Sequence, residues 1–463
     1  MRRNRRRVKR KGGGGFLLGL LTFLLLAGGG AFLYTAPQFE RIPPKIEAKS
    51  KIIVGEKGEI DFKVSDNYAL KKVELLIGNG KEYNTVLDER LPKGVKEKEF
   101  HITLPKSILS SKKSNWSYEI VATDRSLWNF FMGNSTHKKG KLDIDTTAPK
   151  ISIVSKSAAI LKGGTALVIY RVDEDNLKES YIDIGHGIDF KGVPYKKRGI
   201  YATLIAWPFN LEQFNPKIVA VDEAGNRATL AISMRHGFKK YRVSYIAARD
   251  SFIDGKITEL ASRENKYAKI TDRLEKLRAI NENMRLENEK LIHKVTKKAT
   301  PIGDKWKVRK LYPLHGAKRV SDFGVKRYYY YKKRENIIST SYHVGYDFAS
   351  IKHDKIYSSM PGKVVFAAPN GIYGDMIIID HGLGLYTLYG HTSQMYVKVG
   401  QKVAAGEVIG LTGKTGLALG DHLHFGVLVQ GVEVYPLEWM NKKWINNFIL
   451  SVFQKADTKL GYN

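Results

Sequence analysis

Residues 16–36, FLLGLLTFLLLAGGGAFLYTA, carry no charge, and this stretch splits the chain into two very unequal parts. As a helix, 21 residues span about 31 Å, enough for a hydrocarbon core of ~30 Å. The segment before it, MRRNRRRVKRK, holds six arginines and two lysines. A basic flank of this kind stays in the cytoplasm, so everything beyond residue 36 is expected on the far side of a membrane. The reading is a basic cytoplasmic tail at 1–15 and a retained single-pass anchor at 16–36. A cleaved signal peptide is the alternative, since the purely apolar part before Gly28 is short and small residues at 27–30 would suit cleavage.

A length of 463 residues predicts several domains, and no cysteine occurs in any of them. That absence excludes disulfides, thiolate nucleophiles and cysteine-bound zinc, leaving His, Asp and Glu as metal ligands. The formal net charge of +31 points to anionic surroundings such as a cell wall or lipid headgroups. Export argues against nucleic acid as the partner.

Two segments repeat about 100 residues apart. PPKI (43–46) and APKI (148–151) open them, and IDFKVSDNYALKKVELLI (60–77) and ALVIYRVDEDNLKESYIDI (166–184) supply alternating strands. They close on YEIVATDRSLWNF (118–130) and KIVAVDEAGNRATLAI (217–232). Short strands with turn residues between them predict β-sandwich modules at 40–145 and 146–236. These resemble immunoglobulin-like or fibronectin-like extracellular modules, a likeness that implies spacers. Neither copy shows a catalytic cluster.

Between 256 and 298 the period changes, with neither Pro nor Gly. Tyr267, Ile270, Leu274, Leu277, Met284, Leu291 and Val295 fall on heptad positions, with Asn281 and Asn288 in the remaining seam positions. The region 237–300 is therefore expected to be helical, a 43-residue helix being about 65 Å long. An Asn in an apolar seam fixes register, which hints at a paired helix. A second copy, a partner from a shape or division complex, or the chain's own last domain would each satisfy the seam.

Beyond the break at TPIG (300–303) the chain is Gly-rich and strand-like, and 301–463 forms the last expected domain. Seven of the 12 histidines lie from His315 to His424. Four of them, with Asp347, fall in SYHVGYDF (341–348), LYTLYGHTS (385–393) and GDHLHFG (420–426). The even spacings His343/Asp347 and His422/His424 put each pair on one face of a strand. Imidazole and carboxylate suit zinc, and three protein ligands with one open position describe a catalytic rather than a structural site.

HVGYDFAS, the following PGKVVFAAPNGIYGDMIIIDHGLGLYTLYGHTSQMYVKVGQKVAAGEVIGLTGKTGLALGDHLHFG and the preceding SDFGVKR resemble the lysostaphin/LytM-type zinc peptidases of bacterial cell-wall metabolism over roughly 310–440. The resemblance implies an antiparallel β peptidase domain. It also implies one zinc ion held by His343, Asp347 and His424, with His391 and His422 as the unliganded catalytic pair and their division of labour left open. His381 is expected to hold the IDHG turn, and His315 and His353 to be surface or structural residues. The chain departs from the family's GPHLHFE at Asp421 and Gly426, which implies a changed cleft rather than lost zinc.

The implied activity is zinc-dependent endopeptidase cleavage of peptidoglycan stem-peptide cross-links, at D-alanine rather than glycine bridges, by a protein of the inner membrane whose catalytic domain is periplasmic. D,L-carboxypeptidase action is a further option. The alternative is a non-catalytic LytM-type regulator of other wall hydrolases, which typically lacks ligands that this chain keeps. The tyrosine-rich segment before His343 (VKRYYYYKKR) reads equally as a substrate rim or a solvated hairpin. Either that loop or the 256–298 helix is expected to limit access to the metal.

Overall fold

The computed structural model describes residues 14–462 apart from 79–81, 111–115, 303–305 and 307; the basic tail lies outside the described residues but for its last two positions. Strand is the dominant structure, and the chain divides into two compact units.

The first unit takes in the chain to Ala148 together with Glu223–Asn226. It begins with a helix, Gly14–Thr35, long and apolar enough to cross a membrane. A sandwich follows. Its smaller sheet joins Lys45–Glu47, Glu59–Ser65 and Glu97–Thr103, and its larger one has five strands with Trp116–Asp124 among them. Glu59–Ser65 alternates exposed and buried residues, so Ile60, Phe62 and Val64 enter the core. There Phe62 stacks on Phe100 with centroids 4.8 Å apart.

The second unit holds Pro149–Asp222 and Arg227–Asn463. Two four-stranded sheets occupy its first part, and an eight-stranded sheet, antiparallel throughout, dominates the rest. Antiparallel sheets commonly keep one wet face. Here the central strands Leu385–Thr392 and Leu423–Val429 are buried at every residue. Leu385, Tyr389, Phe425 and Val429 share one apolar cluster with Ile169, Leu204 and Trp207 of the preceding β region. Tyr386, Leu388 and Leu428 share another with Ile253, Leu277, Ile280 and Ile292 of the helical segment. Each face of the sheet is thus covered by a different upstream part of the chain.

The helical segment is not one unbroken helix. Glu264 adopts an extended conformation (φ −134°, ψ 123°), and Asp272 caps a new helix by accepting from the main-chain N–H groups of Leu274 and Glu275 at 3.0 and 2.7 Å. From Arg273 to Thr296 the helical path is continuous, with a wider turn at Ala279–Met284. The shift in period moves the seam: Ile292 is buried while Leu291 is 37% exposed. Asn281 donates to Ser339 Oγ at 2.8 Å, and Asn288 Oδ1 accepts from Ile372 N at 2.9 Å. Both asparagines therefore bond to the chain's own last region, one of the three partners open to the seam.

Candidate metal centre

Strand Tyr346–Ala349 pairs antiparallel with Leu423–Val429, and that strand with Leu385–Thr392. The register sets Asp347 opposite His424, and His424 opposite Gly390. Alternation sends Tyr346, Phe348, Leu423 and Phe425 to the cluster shared with the preceding β region. Asp347 and His424 consequently face the helical side. Close packing there depends on Gly345, where a Cβ would lie 2.6 Å from His424 Nε2.

His343 ends strand Ile337–His343. Its Nδ1 lies 2.8 Å from the Asp322 carbonyl, which can only accept, so Nδ1 carries the proton and the Nε2 lone pair turns inward. That Nε2 lies 2.9 Å from Asp347 Oδ1 and 3.1 Å from His424 Nδ1, and His424 Nδ1 is 3.0 Å from the same oxygen. All three side chains are buried, and their ligand atoms lie within 4.8 Å of one another. Burial alone would raise the Asp347 carboxyl; the two imidazoles outweigh it and hold the group well below the usual carboxylate range. Burial pushes His424 down to about 4. Arg327, which sequence reasoning placed in the hairpin but gave no role, donates to Ser321 Oγ at 2.7 Å and reaches Asp347 Oδ2 at 3.4 Å. Its place on a strand, with its face set by alternation, was the available signal.

The other two predicted histidines come to the same place. His391 has φ +62°, a left-handed conformation costly for a side chain of its size. Its Nδ1 donates to the Thr415 carbonyl at 2.8 Å, and His422 Nδ1 donates to the Gly420 carbonyl at 2.8 Å. Each ring therefore keeps an unprotonated Nε2 in its neutral form. The ring centroids are 4.8 Å apart, and His391 is 5.9 Å from His424. Burial is the main reason the His391 imidazole stays neutral well below its ordinary range. The Thr415 carbonyl carries no sequence signal, because any residue could supply it.

A cleft of about 950 Å³ opens over these groups. Besides the five side chains it is lined by Arg327 and Tyr329 of the hairpin, by Arg249 and by Phe252 and Lys256 of the first helical turns, and by Arg285. Of the four consecutive tyrosines only Tyr329 faces the cleft; Tyr328 stacks on Tyr245 at 5.2 Å, and Tyr331 donates to Asp250 at 2.9 Å. Asp421 also lines the cleft and accepts from the His353 main chain at 3.2 Å. His381 bonds to the Pro361 carbonyl at 2.9 Å and Thr387 Oγ1 at 2.7 Å, holding its turn as expected, and His315 stacks on Tyr357.

The family profile of Peptidase family M23 matches residues 341–436. The chain is 34% identical over 138 residues to the protein named Peptidoglycan DD-endopeptidase ShyA of Vibrio cholerae, covering 30% of this chain and 28% of that one. It is 37% identical over 95 residues to DD-carboxypeptidase/endopeptidase Mpg of Neisseria meningitidis, covering 20% and 22%. The chain thus spans about a quarter of the length of these curated relatives. The solved catalytic domain of lysostaphin from Staphylococcus simulans aligns at 27% identity and a TM-score of 0.22, over 27% of this chain and 92% of that one. The stretch that brings His343, Asp347, His391, His422 and His424 to one cleft is a Peptidase family M23 domain.

Proposed function

We propose that the protein is a zinc-dependent endopeptidase that hydrolyses D-alanyl peptide cross-links of peptidoglycan, held to the inner membrane by helix Gly14–Thr35 with its peptidase region, 301–463, in the periplasm. The observation that carries this reading is the completeness of the constellation: two imidazole nitrogens and one carboxylate oxygen converge in a buried site, beside two further imidazoles. The module at 40–145 serves as a spacer in this reading, whereas the region expected as a second spacer, 146–236, packs its core against the peptidase sheet. The names of the matched relatives support the wall cross-link as substrate.

The donor set fits zinc. His343 and His424 offer neutral nitrogens and Asp347 an ionised oxygen, and the hydrogen bond from His343 Nδ1 to a carbonyl fixes its tautomer as metal-bound histidines require. Bound there, zinc would supply a Lewis acid that polarises the scissile carbonyl and acidifies a water. The free Nε2 atoms of His391 and His422 are placed to accept a proton from the attacking water and return it to the leaving amine. Arg327 secures the far oxygen of Asp347. Arg249, Phe252, Lys256 and Arg285 line the same cleft, so the segment upstream of the peptidase region narrows the approach for substrate.

The test uses purified full-length protein with bound metal analysed and cross-linked muropeptide dimers followed by mass spectrometry. Dimers should fall to monomers with one zinc per chain. His391→Ala should lose turnover but keep zinc, and His424→Ala should lose both. Zinc without cleavage of any cross-link would point instead to the non-catalytic regulator.

A further inference from the structure

The first unit carries an apolar surface for which the sandwich has no use. Residues 127–132, LWNFFM, connect strands Trp116–Asp124 and Ser135–Ile144, and they expose Phe130 by 91%, Phe131 by 69% and Met132 by 67%. Isolated exposed apolar residues are ordinary, but a contiguous group marks a binding surface. Three successive residues here, Asn129, Phe130 and Phe131, take left-handed conformations with φ of +52°, +55° and +68°. Non-glycine residues avoid this region, so the backbone is strained in the act of holding the rings outward.

The loop is fastened to the chain just past the apolar helix. Leu127 N donates to the Gln38 carbonyl at 2.6 Å, and Ser126 Oγ to the Glu40 carbonyl at 2.6 Å. The Arg41 guanidinium lies over two rings at once, Tyr34 in the last turn of the helix at 4.8 Å and Trp128 in the loop at 4.1 Å. Lys71 reaches the Met132 carbonyl at 3.4 Å. The exposed rings therefore lie beside the point where a membrane span would leave the bilayer. Aromatic and basic groups gather around them, as at a bilayer–water boundary.

We infer that residues 127–132 form a second membrane contact, with Phe130, Phe131 and Met132 inserted among the acyl chains next to the span. Trp128, Tyr34 and Arg41 then lie at the level of the headgroups, where anionic lipid complements Arg41 and Lys71. This rests on the reading of Gly14–Thr35 as a retained membrane span. The contact gives the first sandwich two attachments to the bilayer, the helix and the loop, and so restricts its tilt about the anchor.

The chain's lack of cysteine allows a direct test. Full-length Phe130→Cys, Leu24→Cys and Lys57→Cys, each labelled with an environment-sensitive fluorophore, are reconstituted in phosphatidylethanolamine/phosphatidylglycerol vesicles containing nitroxide-labelled lipid. Lys57 lies in the turn after strand Lys51–Val54, at the end of the sandwich away from the loop, and serves as the aqueous reference. The label at position 130 should be blue-shifted and quenched several-fold more than that at 57. Quenching at 24 without quenching at 130 would overturn the loop contact and leave the anchor standing. Quenching at neither would overturn both. Phe130 is almost wholly exposed, so its replacement does not threaten folding.

Discussion

The carboxylate of Glu438 accepts a hydrogen bond at 2.8 Å from the main-chain N–H of Thr165, 273 positions earlier in the chain. Glu438 lies in the short helix Pro436–Trp439 after the peptidase sheet, and Thr165 opens a strand of the preceding β region. Trp439 adds a bond from its indole to Thr165 Oγ1 at 3.2 Å. A Cβ at Gly164 would lie 2.4 Å from the carboxylate, so the strand can approach only because that residue is glycine. The two regions are joined through a buried acid.

That acid makes stability depend on pH. Burial pushes the Glu438 carboxyl up to about 8 from its ordinary 4.5. Between those values the folded chain holds a proton that the unfolded chain has released. The favourable contribution is complete below about 4.5 and is lost as pH rises toward 8, at up to ~1.4 kcal/mol per pH unit. Glu438→Gln, which keeps an acceptor for Thr165, should flatten this slope. Urea midpoints at pH 5.5 and pH 8.5 provide the comparison, and equal slopes in the two proteins would remove Glu438 as the cause.

Gly345→Ala should disturb the proposed ligand set without replacing any of its members. The added methyl carbon would meet the His424 ring at 2.6 Å and must push it away from Asp347. Zinc affinity is expected to fall by about 10-fold or more, the scale of effect seen when the support of a ligand is removed. Chelator competition reads this, and an unchanged affinity would mean the ring has room the geometry denies it.

Adjacent positions of the helix Arg285–Thr296 should respond oppositely. Ile292→Ala empties a buried site under the sheet and should cost about 2–5 kcal/mol. Leu291→Ala, at a partly exposed position, should stay within about 0.5 kcal/mol. The reverse order in denaturant unfolding would restore the uninterrupted heptad register.

Asn288→Ala should cost about 1–3 kcal/mol, because it leaves the main-chain N–H of Ile372 buried without an acceptor. Thermal or urea unfolding of the variant measures it, and a neutral result would show that Ile372 finds another partner.

The HxxxD spacing was not one strand face: His343 ends a strand of another sheet and meets Asp347 across residues 344–345. The facing of Asp347 and His424 was legible because strand alternation is local. The sandwich of the first unit was legible for the same reason, with Ile60, Phe62 and Val64 alternating into the core. The break at Asp272 was not. An Asp can cap a helix or sit on its exposed face, and the heptad count favoured continuity across it. The joining of Thr165 to Glu438 was also invisible, since no pattern of period 2 or 3.6 reports a bond between residues 273 positions apart. Likewise, four tyrosines in a row read equally as a substrate rim or a solvated hairpin, whereas the cleft receives only Tyr329 of the four.

The double covering of the peptidase sheet also bears on the order of events during synthesis. Both covers, the β region from Pro149 and the helices ending at Thr296, precede the first strand of that sheet, Lys318–Ser321. A chain made from its N-terminus has both surfaces available before the central strands emerge, and those strands can bury Tyr386, Leu388, Leu428 and their neighbours on arrival. A fragment beginning at residue 301 would have to fold without either surface. Its wholly buried strands, Leu385–Thr392 and Leu423–Val429, would then expose apolar faces open to self-association.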